Sequence, residues 1–228
     1  MNMRIVVAVV VAGGLLALAI ALGTRSGGSS TSDTTTGAST TSTSASGCEV
    51  VTAPAPAERT EPKPTDSLDP ATIYTLTFAT NCGSFTVTLD QKQSPNTAAS
   101  LVSLAEKGFF DGTVFHRIVP GFVIQGGDPT QTGTSGPGYS TVDKPPASAR
   151  YTHGVVAMAK TGADPAGSAG SQFFIVTGAD VQLPADYAIV GTVTKGLDVV
   201  DRIGTLGDQS EQPTEVVEIT KVTVGTNG

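Results

Sequence analysis

Cysteine, histidine and charge are all scarce in this chain, and each shortage removes a class of function. Two cysteines in 228 residues are too few for a disulfide scaffold or a zinc module. The two histidines, His116 and His153, have no second histidine or cysteine at ligand spacing, which argues against zinc. Charged residues make up 14% of the chain, and 13 Lys and Arg stand against 20 Asp and Glu, for a net charge of −7. Nothing basic is clustered, so nucleic acid is not an expected partner. A Ser-His-Asp hydrolase would need a nucleophile elbow such as G-x-S-x-G, and none is present. Gly126-Gly127-Asp128 does not match a phosphate-binding loop. Neither metal nor cofactor is expected.

The chain does have an uninterrupted apolar and glycine run from Ile5 to Leu22, flanked by Arg4 and Arg25. As a helix at about 1.5 Å per residue, eighteen residues span roughly 27 Å, close to the hydrocarbon core of a bilayer. The run is longer than the apolar core of an ordinary signal peptide, which favours a single-pass anchor over cleavage after Gly23. Either route exports the C-terminal part of the chain, placing it outside the cytoplasm, at the cell membrane or secreted. Small residues before Cys48 are those of a lipidation site, but Cys48 lies too far beyond the apolar core. Residues 24–47 are almost entirely Ser, Thr, Gly and Ala, and Pro54, Pro56, Pro62 and Pro64 come next. Such a stretch buries too little apolar surface to offset its backbone entropy. The expected organisation is therefore an anchor or signal over 1–24, a disordered tether over 25–68 and a folded domain over 69–228.

From Tyr74 the pattern changes. Tyr74, Leu76 and Phe78 alternate with Thr75 and Thr77, and Phe85, Val87 and Leu89 with Thr86 and Thr88. That period of two, joined across Asn81-Cys82-Gly83, predicts a hairpin with one buried face. Ser94-Pro95 reads as an N-cap with proline at the first helical position, and Leu101, Leu104 and Ala105 continue at helical spacing until Gly108. Further strands are predicted at 114–118, 122–126, 155–159, 173–177, 187–193 and 216–224, and a short helix at 197–203. Pattern alone gives a mainly β fold, barrel or sandwich.

Two motifs carry the chemistry. One runs from Phe115 to Asp128 as FHRIVPGFVIQGGD; the other is Gly170-Ser171-Gln172-Phe173-Phe174-Ile175. Together they resemble the signature of the cyclophilins, peptidyl-prolyl cis/trans isomerases. The resemblance covers about residues 72–224 and implies a closed eight-stranded antiparallel β-barrel capped by two α-helices. It also implies a prolyl isomerase that acts on proline-containing segments of unfolded or extended proteins. Rotation about an X–Pro amide faces a barrier of about 18–20 kcal/mol and takes tens to hundreds of seconds uncatalysed. No bond breaks, so no nucleophile is required. As the amide twists, the prolyl nitrogen gains a lone pair, and a fixed donor beside it stabilises the twisted state more than either planar one.

Arg117, permanently charged and fork-shaped, matches the catalytic arginine of that family. The resemblance assigns Phe122, Val123, Phe174 and Leu183 to the proline pocket. Gln125 and Gln172 would hold substrate or orient Arg117. Strand alternation sends Phe173 and Phe174 to opposite faces, and the resemblance puts Phe173 inside the barrel. Ala157-Met158-Ala159-Lys160-Thr161-Gly162 resembles the floor of the peptide groove, with Ala159 and Lys160 as contacts. Relatives commonly carry Asn where Lys160 stands, so Lys160 is either a groove cation or a solvated surface lysine. In Gln182-Leu183-Pro184-Ala185-Asp186-Tyr187, many relatives have Trp at the place of Gln182 and His at that of Tyr187. Tyr187 would replace the histidine as a flat wall, and the missing indole should weaken cyclosporin binding. His116 is expected to pack beside the site as a structural residue, and Asp128 to cap a turn. In an exported domain Cys48 and Cys82 can pair, closing a loop worth roughly 3–4 kcal/mol; otherwise they are two unrelated thiols. A monomer suffices for this reading. A non-catalytic proline-directed binding module is the alternative that Lys160, Gln182 and Tyr187 leave open.

Overall fold

The computed structural model describes residues 42–227. The apolar run at 5–22 and the expected anchor or signal at 1–24 lie outside them. Among the described residues no helix is long and apolar enough to cross a membrane.

The elements in chain order are β1 (Ile73–Thr80), β2 (Gly83–Leu89), α1 (Pro95–Glu106), β3 (Thr113–Val114), β4 (Arg117–Val119), β5 (Val123–Gly126), β6 (Thr141–Val142), β7 (Val155–Met158), β8 (Ser168–Ala169), β9 (Phe173–Val176), β10 (Ile189–Lys195), α2 (Leu197–Gly204) and β11 (Glu218–Asn227). The main sheet is antiparallel in the order β3-β11-β1-β2-β10-β7-β9-β5-β4. Its end strands, β3 and β4, are separated in the chain by Phe115 and His116 alone. They act as one strand, 113–119, whose first half pairs with β11 and whose second half pairs with β5. Counted that way, eight antiparallel strands curl round to meet themselves, closed through the chain and not by a ladder. The short pair β6–β8 is too brief to show a period in the sequence and is an addition to the expected strands.

The alternation in β1 and β2 places Leu76, Phe78, Phe85, Val87 and Leu89 in the interior, with Phe78 stacked on Phe85 at 4.9 Å between ring centroids. Phe173 joins this interior cluster, as do Phe115, Ile118 and Ile124. α1 buries Ala98, Leu101, Val102, Leu104 and Ala105, and packs on β11 and β6. α2 buries Val199, Val200 and Ile203 and packs on β2 and β5.

Two expectations need correction. Ser94 precedes α1 but does not cap it; its hydroxyl donates instead to the Ile189 carbonyl at 2.6 Å. The buried carboxylate of Asp143 takes over, accepting the Thr97 amide at 2.7 Å and hydroxyl at 2.6 Å, and the Asn96 side-chain amide at 2.8 Å. A negative charge at a helix N-terminus satisfies orphan donors and the helix dipole together. The second concerns the expected disordered tether over 25–68, of which residues 25–41 lie outside the described residues. From Ser42 onward that segment lies on the domain. Cys48 is bonded to Cys82, and the Glu49 amide donates to the Asn81 carbonyl at 2.8 Å. Ala57 and Glu61 donate backbone amides to the Pro129 and Pro137 carbonyls, at 3.0 and 2.9 Å. Composition describes local preference only; here the extended chain finds loop carbonyls for its free amides.

Candidate active site

Strand register assembles the site. Arg117 on β4 faces Gln125 on β5, Gln125 faces Phe174 on β9, and Phe174 faces Ala157 on β7. Residues opposite each other in an antiparallel ladder share a face, so these four form one row on the outer face of the curl. Val123, two residues before Gln125, is on the same face. Val123 and Phe174 are buried with Tyr151, Val155, Ala157 and Val176 in a second apolar cluster, distinct from the interior core. Phe122, Ala159, Leu183 and Tyr187 pack against it and stay partly exposed. An apolar notch with an arginine at one end is the result. Phe173 and Phe174 thus divide between core and notch by strand alternation.

The guanidinium of Arg117 is aimed by two acceptors. Its Nε donates to Glu211 Oε2 at 2.6 Å, and its Nη1 reaches Gln125 Oε1 at 3.4 Å. Three of its five N–H groups are left for other acceptors. Gln125 Nε2 in turn donates to Gln172 Oε1 at 3.1 Å, and Gln172 Nε2 to the Ser135 carbonyl at 2.9 Å. Both glutamines therefore belong to one chain of bonds ending on Arg117.

Glu211 is a site residue that sequence reasoning missed. It sits 94 positions from Arg117, in a turn where its backbone φ is +64° and its carbonyl accepts the Ile118 amide at 3.0 Å. Tyr151 was missed too. Its hydroxyl donates to the Tyr187 carbonyl at 2.8 Å and accepts the Tyr187 amide at 3.0 Å. Burial pushes the Tyr151 phenol up, so it remains a donor across the working pH range. The Tyr187 ring meets Phe174 edge-on at 5.5 Å and forms a wall of the notch. Neither residue lies in a motif, and no local sequence signal marks either.

Lys160 is neither a solvated lysine nor a free groove cation. Its side chain is 5% exposed, and its ammonium meets Asp186 at 3.1 Å and the carbonyls of Thr161 and Asp164. It lies 5.6 Å from the Tyr187 ring centroid. Its charge is spent on joining two loops. Gln182 is exposed, with φ of +47°.

Asp128 closes the turn below the site. Burial pushes its carboxyl up, but the hydroxyl and amide of Thr130 and the amide of Ser135 outweigh that and hold it below the usual carboxylate value. Gly127 has φ of +86°, and a Cβ there would lie 2.5 Å from the Ser171 carbonyl oxygen. His116, next to Arg117, has both ring nitrogens buried without a partner. Burial lowers its pKa, the Asp128 carboxylate opposes this, and Arg117 adds to it. Among the described residues no group of three or more His, Cys, Asp or Glu is placed to hold a metal ion.

A curled antiparallel barrel with an arginine clamped beside a partly exposed apolar notch is a surface that an extended peptide can occupy. Residues 75–224 match the family model of the cyclophilin-type peptidyl-prolyl cis-trans isomerases, and the chain belongs to that family. It is 36% identical over 163 residues to human peptidyl-prolyl cis-trans isomerase-like 1, covering 69% of this chain and 95% of that protein. It is 38% identical over 169 residues to the probable peptidyl-prolyl cis-trans isomerase A of Mycobacterium leprae, covering 66% and 91%. Among solved structures, a Cryptosporidium parvum cyclophilin crystallised in the presence of the dipeptide Ala-Pro matches with a TM-score of 0.62 and 30% identity, over 67% of this chain and 99% of that one. Isomerisation of prolyl peptide bonds is thus the activity of this family.

Proposed function

We propose that the chain isomerises X–Pro bonds of extracytoplasmic proteins, with Arg117 as the catalytic residue. The observation that carries the mechanism is the clamped guanidinium at the edge of the notch formed by Phe122, Val123, Phe174, Leu183 and Tyr187. A proline ring seated on these apolar groups brings its nitrogen near the free N–H groups of Arg117. The twisted amide offers that nitrogen's lone pair, which the planar amide withholds in resonance, so the cation binds the transition state better than either ground state. Gln125, Gln172 and the backbone around Ala159 supply partners for the flanking peptide groups. The crystallisation of the Cryptosporidium relative in the presence of the dipeptide Ala-Pro supports a proline-containing ligand.

Export is supported by the apolar run at 5–22 and by the Cys48–Cys82 bond, which persists in oxidising compartments. On this proposal the N-terminal segment anchors a monomeric domain outside the cell membrane, or is removed on secretion. The test is a protease-coupled assay on an Ala-Pro peptide with Arg117→Ala beside the wild type. Loss of about 100-fold or more in turnover with peptide affinity nearly intact is expected, the scale of removing one transition-state donor. Wild-type binding without acceleration would instead assign a proline-directed binding module.

A further inference from the structure

The segment before the family-matched region is wired to the site. We infer that residues 48–64 form a positioning strap for the catalytic arginine, an addition this chain makes to the 75–224 domain. The inference rests on the isomerase reading.

The strap is fixed at several points along its length. Cys48 is bonded to Cys82. Arg59 Nη1 donates to the backbone carbonyls of Phe109 and Asp111, beyond the end of α1. Glu61 pairs with Lys107 at 3.1 Å, and Lys63 donates to the Ser140 carbonyl at 2.9 Å. Between these anchors the strap grips the 129–137 loop. Gln131 Nε2 donates to the Pro54 carbonyl at 2.8 Å, the Ala57 amide donates to Pro129 at 3.0 Å, and Ser135 Oγ meets Glu58 Oε2 at 3.2 Å. The Glu61 amide, bonded to Pro137, holds the far end of the same loop.

That loop ends the chain of bonds from Arg117. The Ser135 carbonyl accepts Gln172, Gln172 accepts Gln125, and Gln125 accepts Arg117. Ser135 is thus held from the barrel side by Asp128, which accepts its amide at 3.2 Å, and from outside by the strap. Two-sided anchoring fixes the carbonyl that sets the orientation of Gln172. When the strap's contacts to the loop are lost, Asp128 still holds the loop, so those contacts act on aim more than on folding. The strap is therefore a positioning segment and touches no substrate.

The test uses the full chain with its disulfide intact. Arg59→Ala with Gln131→Asn removes one anchor and one loop contact; Asn is too short to reach Pro54 and tolerates the φ of +62° at position 131. A fall in kcat of about fivefold is expected, within the range for residues that couple to a site without touching the ligand, with KM little changed. In a Gln172→Ala background the same pair of substitutions should have no further effect, because the relay is already cut. Equal losses in both backgrounds would mean a merely structural role and overturn the inference. So would full activity of the double variant while Arg117→Ala is dead; the isomerase reading would then stand. An inactive wild type, or full turnover by Arg117→Ala, would overturn that reading itself. If the double variant fails to unfold cooperatively, Gln131→Asn alone, which keeps the anchors at 48 and 59, decides by the same comparison.

Discussion

Glu211 offers a direct test of whether aim or charge matters more at Arg117. The two effects of its carboxylate oppose each other. It holds Nε at 2.6 Å and so orients the fork, but it also lowers the local positive potential. At a separation of about 4 Å the Coulomb attraction is about 1 kcal/mol in bulk water and about 4 kcal/mol at an effective dielectric of 20. If charge dominated, neutralising Glu211 would speed the reaction. The geometry argues otherwise. The remaining acceptor, Gln125, is 3.4 Å from Nη1, too long to hold the group alone. Misplacement on the order of 1 Å can cost about 100-fold. For Glu211→Ala we expect a loss of about tenfold in kcat/KM, which corresponds to about 1.4 kcal/mol. Glu211→Gln keeps an acceptor for Nε and should lose only about twofold. Folding should hardly register either change, since the two side chains are 26% and 48% exposed and such pairs contribute at most about 1 kcal/mol before solvent screening. The assay is protease-coupled turnover of an Ala-Pro peptide, with thermal unfolding beside it. A rise in rate for either variant, or equal losses in both, refutes the orienting role.

Other outcomes derive from the packing. Replacing Cys48 and Cys82 together by Ala should lower stability by roughly 3–4 kcal/mol through the loop closed over a separation of 34 residues, read as a shifted urea midpoint. Asp143→Ala strips α1 of its cap and leaves the buried Thr97 amide unpaired, with the Thr97 hydroxyl kept by Thr141 alone, at a cost of about 1–3 kcal/mol, while activity per folded molecule is kept. His116 has its pKa lowered from 6.5 by burial, so the unfolded chain takes up a proton before the folded one does. Its contribution is present above 6.5 and is lost as pH falls from there through the folded value. Unfolding measured from pH 7.5 downward should lose that part of its pH dependence in His116→Phe; an unchanged profile would show that the imidazole is not buried neutral.

The hairpin of β1 and β2, α1 and the division of Phe173 from Phe174 were legible because a single buried face imposes a period of two or of 3.6 on neighbouring residues. Arg117, Gln125 and Phe174 could be named as candidates, but their alignment in one row depends on the register of β4 and β5 against β9, which is distant in the chain. Glu211 and Tyr151 act across 94 and 36 positions, where no local pattern reaches. Lys160 stayed open because its partner Asp186 lies on another loop. The order of the tether is hidden for the same reason. Its composition disfavours a core of its own, yet it needs none when Cys82, Pro129 and Pro137 supply its partners. Ser94 has the identity of a cap, but a carboxylate 46 residues beyond Thr97 outcompetes it.

The change of partners at Phe115 and His116 has a dynamic consequence. The barrel's seam and Arg117 occupy adjacent positions, so breathing of the seam would move Arg117 relative to the notch on β5 and β9. Warming should therefore erode catalysis at temperatures where the hairpin of β1 and β2 is still protected from amide hydrogen exchange.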